Sequence, residues 1–420
     1  MLTASIPNGG PSLASLHEQM LRVADQPLSQ AQTFPPAAYT DPAHYDWEVE
    51  NVLKRDWLCV GHVSQISKAS DYFNLDLHGE PLVVVRGKDD VVRVLSRVCP
   101  HRGMDVNPTE YGRAPKGNAR FLLCPYHFWS FDLDGRCKGA PEMQKSEGFN
   151  RREVSLASFK SELWHGFIFL TFNPDAPPLG EVYGHMGAQL AEFQMEKLEV
   201  VAELEWDCPF NWKVIVENFA ECYHHLGAHV KTFEPMFPAK TCWTGDEQPA
   251  YTVAHLPLVK KLAEGVRSGD SEVRTFIDFP SVALEHRTEW YVYVGYPTFL
   301  LFAAPDRIFW YRVVPDGPQK VKLLTTLAVL PEAKAMPDYE QRLASEIAML
   351  KEFHTEDMEV CVAVQRGMNS GYFKGGRLSH LEKPIWFIQR YLARKIREAQ
   401  EAPSTKTPVT ATELSCASCG

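Results

Sequence analysis

The 420-residue chain lacks any apolar run long enough to cross a bilayer; its longest, Trp290 to Pro305, is interrupted by Gly295 and Pro297. It also lacks an excess of positive charge. The 43 Lys and Arg against 53 Asp and Glu leave a formal charge of -10, which argues against nucleic acid or an anionic membrane as partner. The opening MLTASIPNGG holds neither a basic nor an apolar segment, so no secretory signal is expected and a cytoplasmic location is. No Gly-rich dinucleotide fingerprint follows a strand pattern, so nicotinamide and flavin are not expected to bind this chain directly. No repeat of fixed period is visible. Cysteine is sparse, ten in the whole chain, too dilute for a disulfide scaffold. An apolar content of 45% with 23% charged residues excludes wholesale disorder and leaves a soluble chain of two or three domains.

Pattern and composition divide the chain. Residues 1–45, rich in Pro, Gly, Ser and Ala, are expected to form an irregular N-terminal segment with one short helix, Leu13 to Val23. Tyr45 to Trp57 reads as helical. From Leu58 to Phe172 strand signals dominate, in PLVVVRG, VVRVLS, RFLLCPYHFWSFDLDG and LWHGFIFLTFN. NPDAPPL is the expected linker, so 46–172 forms an N-terminal β domain and 173–400 a second domain. There, Glu181 to Phe193 and Asn211 to Leu226 are expected helices, the second with Trp212, Ile215, Val216, Phe219, Cys222, Tyr223 and Leu226 on one stripe. EWYVYVGY, FLLFAA, IFWYRVVP and KLLTTLAVL predict an antiparallel sheet whose alternate residues face the late helices, Asp338 to Met368 and Lys383 to Gln400. Residues 401–420 read as a flexible tail; Cys416 and Cys419 there have no second pair and are not counted as a site. Cys59, Cys208, Cys242 and Cys361 are expected as small buried hydrophobes.

Two other cysteines stand apart, in Cys99-Pro-His101-Arg-Gly103 and Cys124-Pro-Tyr-His127. Zinc accepts two Cys and two His, but zinc-finger spacing groups Cys with Cys and His with His. Here each loop supplies one of each, the pairing that a [2Fe-2S] cluster needs when two thiolates hold one iron and two imidazoles the other.

A second constellation lies on the helix from Asn211, where Glu217, Asn218, Glu221, His224 and His225 oppose the apolar stripe and His229 follows. Divalent iron in oxygenases is held by two His and one carboxylate on one side. On a regular helix His225 and His229, at i and i+4, are the natural chelating pair, while His224 and His229 point about 140° apart. The carboxylate is sought in the late helix. Leu350, Phe353, Val360, Cys361 and Val364 form its apolar stripe with Asp357 inside it, whereas Glu352, Glu356 and Glu359 lie on the solvated side. An ionised carboxylate on a buried face calls for a cation or a buried salt bridge.

The Cys-His pairs resemble the Rieske domain of the aromatic-ring-hydroxylating oxygenases, C-x-H followed at a distance by C-x2-H. NWKVIVENFAECYHHLGAH and EDMEVCVAVQRGMNSGY are similar to the same family's catalytic motifs. Two departures are visible. The gap of 22 residues between His101 and Cys124 is long, which places an inserted loop at Thr109 to Asn118, and Phe128 stands where the family has Gly or Ala. The resemblance implies an α+β fold: an all-β Rieske domain, then a catalytic helix-grip domain with an antiparallel sheet around a helix. It implies Cys99, His101, Cys124 and His127 as cluster ligands, with a potential near roughly -150 mV. It selects His224, His229 and Asp357 for mononuclear Fe(II), leaving His225 outside, and so implies that the helix departs from regularity before His229. Glu221 is implied as the acid bridging a cluster histidine of one subunit to an iron ligand of the next. The implied activity is terminal oxygenation of a small aromatic or N-alkyl substrate, by hydroxylation or dealkylation, with electrons from NAD(P)H through a reductase and, in some systems, a ferredoxin. The implied assembly is a homotrimer or α3β3. A Glu before Cys-Tyr-His is more reminiscent of the branch oxidising carnitine- and betaine-like compounds. Two rivals remain at this level: a Rieske electron carrier, which would leave the His/Asp set unused, and a hydrolase with zinc at the second site. Between Cys99 and Ala140 six Lys and Arg meet four Asp and Glu, a local excess that would suit an acidic ferredoxin.

Overall fold

The computed structural model describes residues 11–269 and 273–401. The tail pair Cys416 and Cys419, and the expectation of a flexible tail over 402–420, lie outside the described residues, as does the start of the N-terminal segment. The chain divides into two compact units, one of residues 66–161 and one combining residues up to 65 with 162–396.

In the smaller unit, β1 (Asp71–Leu77), β2 (Glu80–Arg86) and β3 (Val92–Ser96) form an antiparallel meander, with Leu75 opposite Leu82 and Val84 opposite Val94. The two-residue turn at His78-Gly79 has φ of 51° and 82°, the left-handed pair that suits a twisted hairpin. The expected inserted loop is more than a loop: its end, β4 (Lys116–Asn118), pairs along β1 from Asp71 to Phe73. A second small sheet joins β5 (Leu122–Leu123), β6 (Ser130–Phe131) and β7 (Cys137–Gly139). Tyr72, Val83, Val85, Leu95, Val106, Phe131 and Leu156 form the core, and Cys99, Cys124 and Trp129 pack into it.

The expected boundaries at 46 and 172 are displaced. Strand Leu58–His62 pairs with Phe167–Thr171, and Trp57, Cys59, Phe167 and Phe169 pack with Tyr183, Phe299 and Trp310 of the larger unit. NPDAPPL therefore lies inside that unit, where the carbonyl of Pro177 accepts from Trp57 Nε1 at 2.9 Å.

The larger unit is built on a seven-stranded antiparallel sheet. Its strands are β8 (Glu199–Cys208), β9 (Trp243–Thr244), β10 (Tyr251–Pro257), β11 (Glu289–Gly295), β12 (Phe299–Ala304), β13 (Arg307–Pro315) and β14 (Val321–Val329). They run in the order β8-β14-β13-β12-β11-β10-β9. Both faces of the central strands are covered, which is why FLLFAA reads as a continuous apolar run. Trp290, Val292, Phe302, Phe309 and Tyr311 share one core with the helices, while Tyr291, Tyr293, Leu301 and Trp310 point into the other. On the helical face, α2 (Trp212–Ala220) lies against β10, β11, β13 and the long α3 (Tyr339–Met368); α4 (Lys383–Glu401) follows.

The segment expected to be an irregular leader is part of this core. Helix α1 (Leu13–Ala24), capped by Ser12, buries Leu16 and Met20, and Phe34, Ala38 and Tyr39 are buried beside them. It also closes a charged network. Lys213, at 0% exposure, bonds both carboxylate oxygens of Glu48 at 2.7 and 2.8 Å, and Glu48 in turn takes Trp212 Nε1 at 3.0 Å and faces His44 at 3.2 Å. Burial alone would raise the Glu48 pKa, but Lys213 and His44 outweigh it and lower it to about 2.

Candidate metal centres

The two Cys-His loops of the smaller unit share one backbone plan. In each, the Cys carbonyl accepts an N–H four residues on, from Gly103 at 2.9 Å and Phe128 at 3.1 Å. Each Cys N–H donates to the carbonyl five residues on, Met104 or Trp129, at 2.8 Å. The fifth residue is left-handed in both, φ 74° at Gly103 and 60° at Phe128. The family's small residue at that place is thus explained by conformation, and Phe128 occupies a region that ordinary side chains avoid. Only the histidine's place differs, third in the first loop and fourth in the second.

These turns bring the imidazoles of His101 and His127 to 4.7 Å between ring centroids, with Trp129 stacked on His101 at 4.7 Å and 6°. Cys99 and Cys124 are each 1% exposed. Burial, together with Cys124 beside it, pushes the Cys99 thiol up to about 11. The Nδ1 atoms of His101 and His127 are buried without a hydrogen-bond partner. Two facing thiols and two orphaned imidazole nitrogens are costly when empty and form the donor set that a [2Fe-2S] cluster with mixed ligation uses.

In the larger unit, α2 stops at Ala220. Glu221 takes φ −130° and ψ 159°, and a short 3-10 turn over Tyr223–Leu226 follows. The expected helix to Leu226 is therefore broken, and the break depends on Glu221 itself. Its Oε2 accepts the backbone N–H groups of Tyr223 and His224, and its Oε1 meets His224 Nδ1 at 2.9 Å. With the helix interrupted, the ring centroids of His224 and His229 come within 5.0 Å. His224, His229 and Asp357 then place one ligand atom each within 4.8 Å of the others. His229 Nε2 lies 3.0 Å from Asp357 Oδ1, and His224 Nε2 lies 3.6 Å from it. His225 does not join them: its Nδ1 bonds the Phe237 carbonyl at 3.0 Å, and burial lowers its pKa to about 3.

Burial opposes a charged His224, but Glu221 and Asp357 outweigh it and raise its pKa; burial likewise opposes the Asp357 carboxylate, but His229 and His224 hold it below the usual range. Two imidazoles and a buried carboxylate converging on one point fit a divalent iron with open positions. They open onto a cavity of about 50 Å³ lined by Phe219, Phe233, Phe302, Phe309, Tyr311 and Phe353, with Asn218 and Glu221 as polar members.

Helical periodicity puts Glu356 on the solvated side of α3, and the structure corrects this. Glu356 Oε2 accepts from His229 Nδ1 at 2.8 Å and from Thr232 Oγ1 at 2.7 Å, because the chain after His229 folds over that flank of the helix. Val364, expected in the apolar stripe, is 39% exposed; His354 and Gln365 are buried in its stead.

The Rieske [2Fe-2S] domain family matches residues 56–160, and the ring hydroxylating alpha subunit (catalytic domain) family matches residues 195–398. The carnitine monooxygenase oxygenase subunit of Escherichia coli (strain K12) is 36% identical over 202 residues, 48% of this chain and 53% of that protein. The chain thus spans about half the length of this curated relative in the match. The glycine betaine monooxygenase oxygenase subunit of Chromohalobacter salexigens is 24% identical over 407 residues, with 87% of each chain covered. A solved quaternary ammonium Rieske monooxygenase, described for carnitine oxidation by gut microbiota and inter-subunit electron transfer, superposes with a TM-score of 0.76 at 25% identity, covering 89% of this chain and 98% of that one.

Proposed function

Because this chain belongs to the Rieske non-heme iron oxygenase alpha subunits, with a [2Fe-2S] domain before a mononuclear iron domain, we propose that it is the terminal oxygenase of a multicomponent system acting on N-alkyl substrates of the quaternary ammonium class. The observation that carries the reading is the convergence of His224, His229 and Asp357 at the mouth of an aromatic cavity. When bound, the cluster supplies single electrons and the ferrous ion the site at which dioxygen is activated.

Cys99 and Cys124 would hold one iron of the cluster, and His101 and His127, whose Nδ1 atoms are buried without a partner, the other. His224, His229 and Asp357 would hold the mononuclear iron. Glu356 fixes the Nδ1 hydrogen of His229, which leaves the Nε2 lone pair for the metal. Glu221 does the same for His224 and, as the acid joined to that ring, would be the bridge between it and a cluster histidine of the neighbouring subunit. The aromatic rings exclude water and offer their faces to a quaternary ammonium group. Among the described residues no Lys or Arg lines this cavity, and the ferrous charge would be balanced by Glu221 and Asp357, so no cationic side chain there opposes a quaternary ammonium group.

Electrons come from NAD(P)H through a separate reductase, directly or by way of a ferredoxin, and the working assembly is a homotrimer or α3β3. Anaerobic reconstitution with a reductase, followed by oxygen uptake with a panel of quaternary amines and aromatic compounds, tests the reading. Coupled NADH and oxygen consumption with formation of the dealkylated amine is expected. The apolar lining from Leu256, Val292 and Phe302 favours ring hydroxylation as the second reading, and coupling with aromatic compounds alone would replace the first by it. An iron content of about two per chain instead of about three, without oxygen uptake, would reduce the protein to an electron carrier.

A further inference from the structure

A second set of metal-ligating side chains lies beside the first and has no part in it. Cys222, His225 and Cys242 are all buried, and each offers a ligand atom within 4.8 Å of the others. The spacing Cys222-x2-His225 repeats that of Cys124-x2-His127. Cys242 reaches them from the loop before β9, which also supplies the carbonyl of Phe237.

That carbonyl sets the tautomer. A carbonyl only accepts, so the 3.0 Å contact assigns the hydrogen of His225 to Nδ1 and leaves a lone pair on Nε2. An imidazole whose other nitrogen is held by a backbone carbonyl is the usual state of a metal-bound histidine. Cys222 and Cys242 also border a separate cavity of about 160 Å³, with room for a water as a further ligand. Glu221 and Glu234 lie close enough to act electrostatically on Cys222, and their negative charge favours a cation there.

We propose that Cys222, His225 and Cys242 form a zinc site separate from the mononuclear iron site. Thiolates exclude hard cations such as Mg(II) and Ca(II). The charge sum selects zinc over Cu(I), because two thiolates and a neutral imidazole around Zn(II) make an electroneutral group, the kind that burial penalises least. Binding releases the two thiol protons to solvent and involves no electron transfer. Its consequence is positional: Cys222 and His225 flank Tyr223 and His224, so the bound ion clamps the turn that presents His224.

The test uses the full chain loaded with cluster and iron, equilibrated with Zn(II) under anaerobic conditions and desalted. Metal analysis is expected to find about one zinc beyond the irons, and zinc-edge X-ray absorption two sulfur ligands at about 2.3 Å. Cys222→Ser and Cys242→Ser, each checked by its cluster absorbance, are expected to weaken zinc binding roughly ten-fold or more. His229→Ala, which strips the iron site, is expected to retain the zinc. Zinc with only nitrogen and oxygen neighbours, uptake unchanged in both cysteine variants, or a peptide map with Cys222 joined to Cys242 as a disulfide in protein that takes up no zinc would each overturn the proposal.

Discussion

Removing Glu356 probes the proposed iron site without touching any of its three proposed ligands. Its carboxylate is 2.8 Å from His229 Nδ1 and is the acceptor that fixes which nitrogen of that ring faces Asp357. Losing such an outer partner generally lowers metal affinity 10- to 100-fold, or about 1.4 to 2.7 kcal/mol. Two features place Glu356→Ala near the lower bound. The carboxylate is 28% exposed, so water replaces part of the bond. Thr232 Oγ1, 3.2 Å from the same nitrogen, remains as an alternative acceptor. We expect about a ten-fold loss for Glu356→Ala and an approach to a hundred-fold when Thr232→Ala is added. The assay is competition for ferrous iron against a chelator of known affinity, with the cluster spectrum as internal control for folding. An iron affinity within two-fold of wild type in the double variant would refute the role assigned to Glu356.

Further outcomes follow from Glu221, from the Glu48–Lys213 pair and from Phe128. Glu221→Gln is expected to keep the cluster and, at saturating ferrous iron, a filled iron site, with iron affinity roughly ten-fold weaker because His224 is held less firmly, yet to stop turnover, read as cluster oxidation that no longer couples to substrate in rapid mixing; undiminished turnover removes the bridging role. Glu48→Gln leaves the buried Lys213 ammonium without the carboxylate it bonds, with only the charge of Glu217 still acting on it, and is expected to cost about 3 kcal/mol in denaturant unfolding, the lower end of the range for a broken buried pair. The same pair sets an acid limit: the Glu48 pKa is lowered from 4.5 to about 2 on folding, so its stabilisation is complete above 4.5 and is lost as pH falls towards 2, a slope absent in the variant. Phe128→Gly is expected within about 0.5 kcal/mol of wild type, because relief of the left-handed backbone offsets the added chain entropy. Phe128→Val, branched at Cβ, is expected to cost more than about 1 kcal/mol in thermal melts that follow the cluster band.

What could be read before folding was whatever the chain writes locally. Each Cys-His pair lies within four consecutive residues, so donor type and spacing expose the pairs at once. The strands of the larger sheet were equally plain, because burial on both faces leaves uninterrupted apolar runs. The choice between His225 and His224 was hidden, since no Gly or Pro marks the break at Glu221; a carboxylate accepting its own neighbours' N–H groups makes it. Glu356 was hidden because helical periodicity sees one helix and not the chain laid over its flank. The N-terminal segment looked loose by composition, yet Leu16, Met20, Phe34 and Tyr39 are core residues. Cys222 and His225 were separated by the stripe pattern, which assigned them to opposite faces of a helix that ends before either.

The break at Glu221 also bears on motion. The first amides of a helical turn have no partner within it, and the turn that starts at Tyr223 would normally leave them to solvent. Here one carboxylate takes the amides of both Tyr223 and His224 while its second oxygen holds the His224 ring. The presentation of that histidine and the stiffness of its backbone therefore rest on a single charge. Protonating or neutralising Glu221 loosens the turn and the ring together, so amide exchange at Tyr223 and His224 reports the charge state of the acid directly.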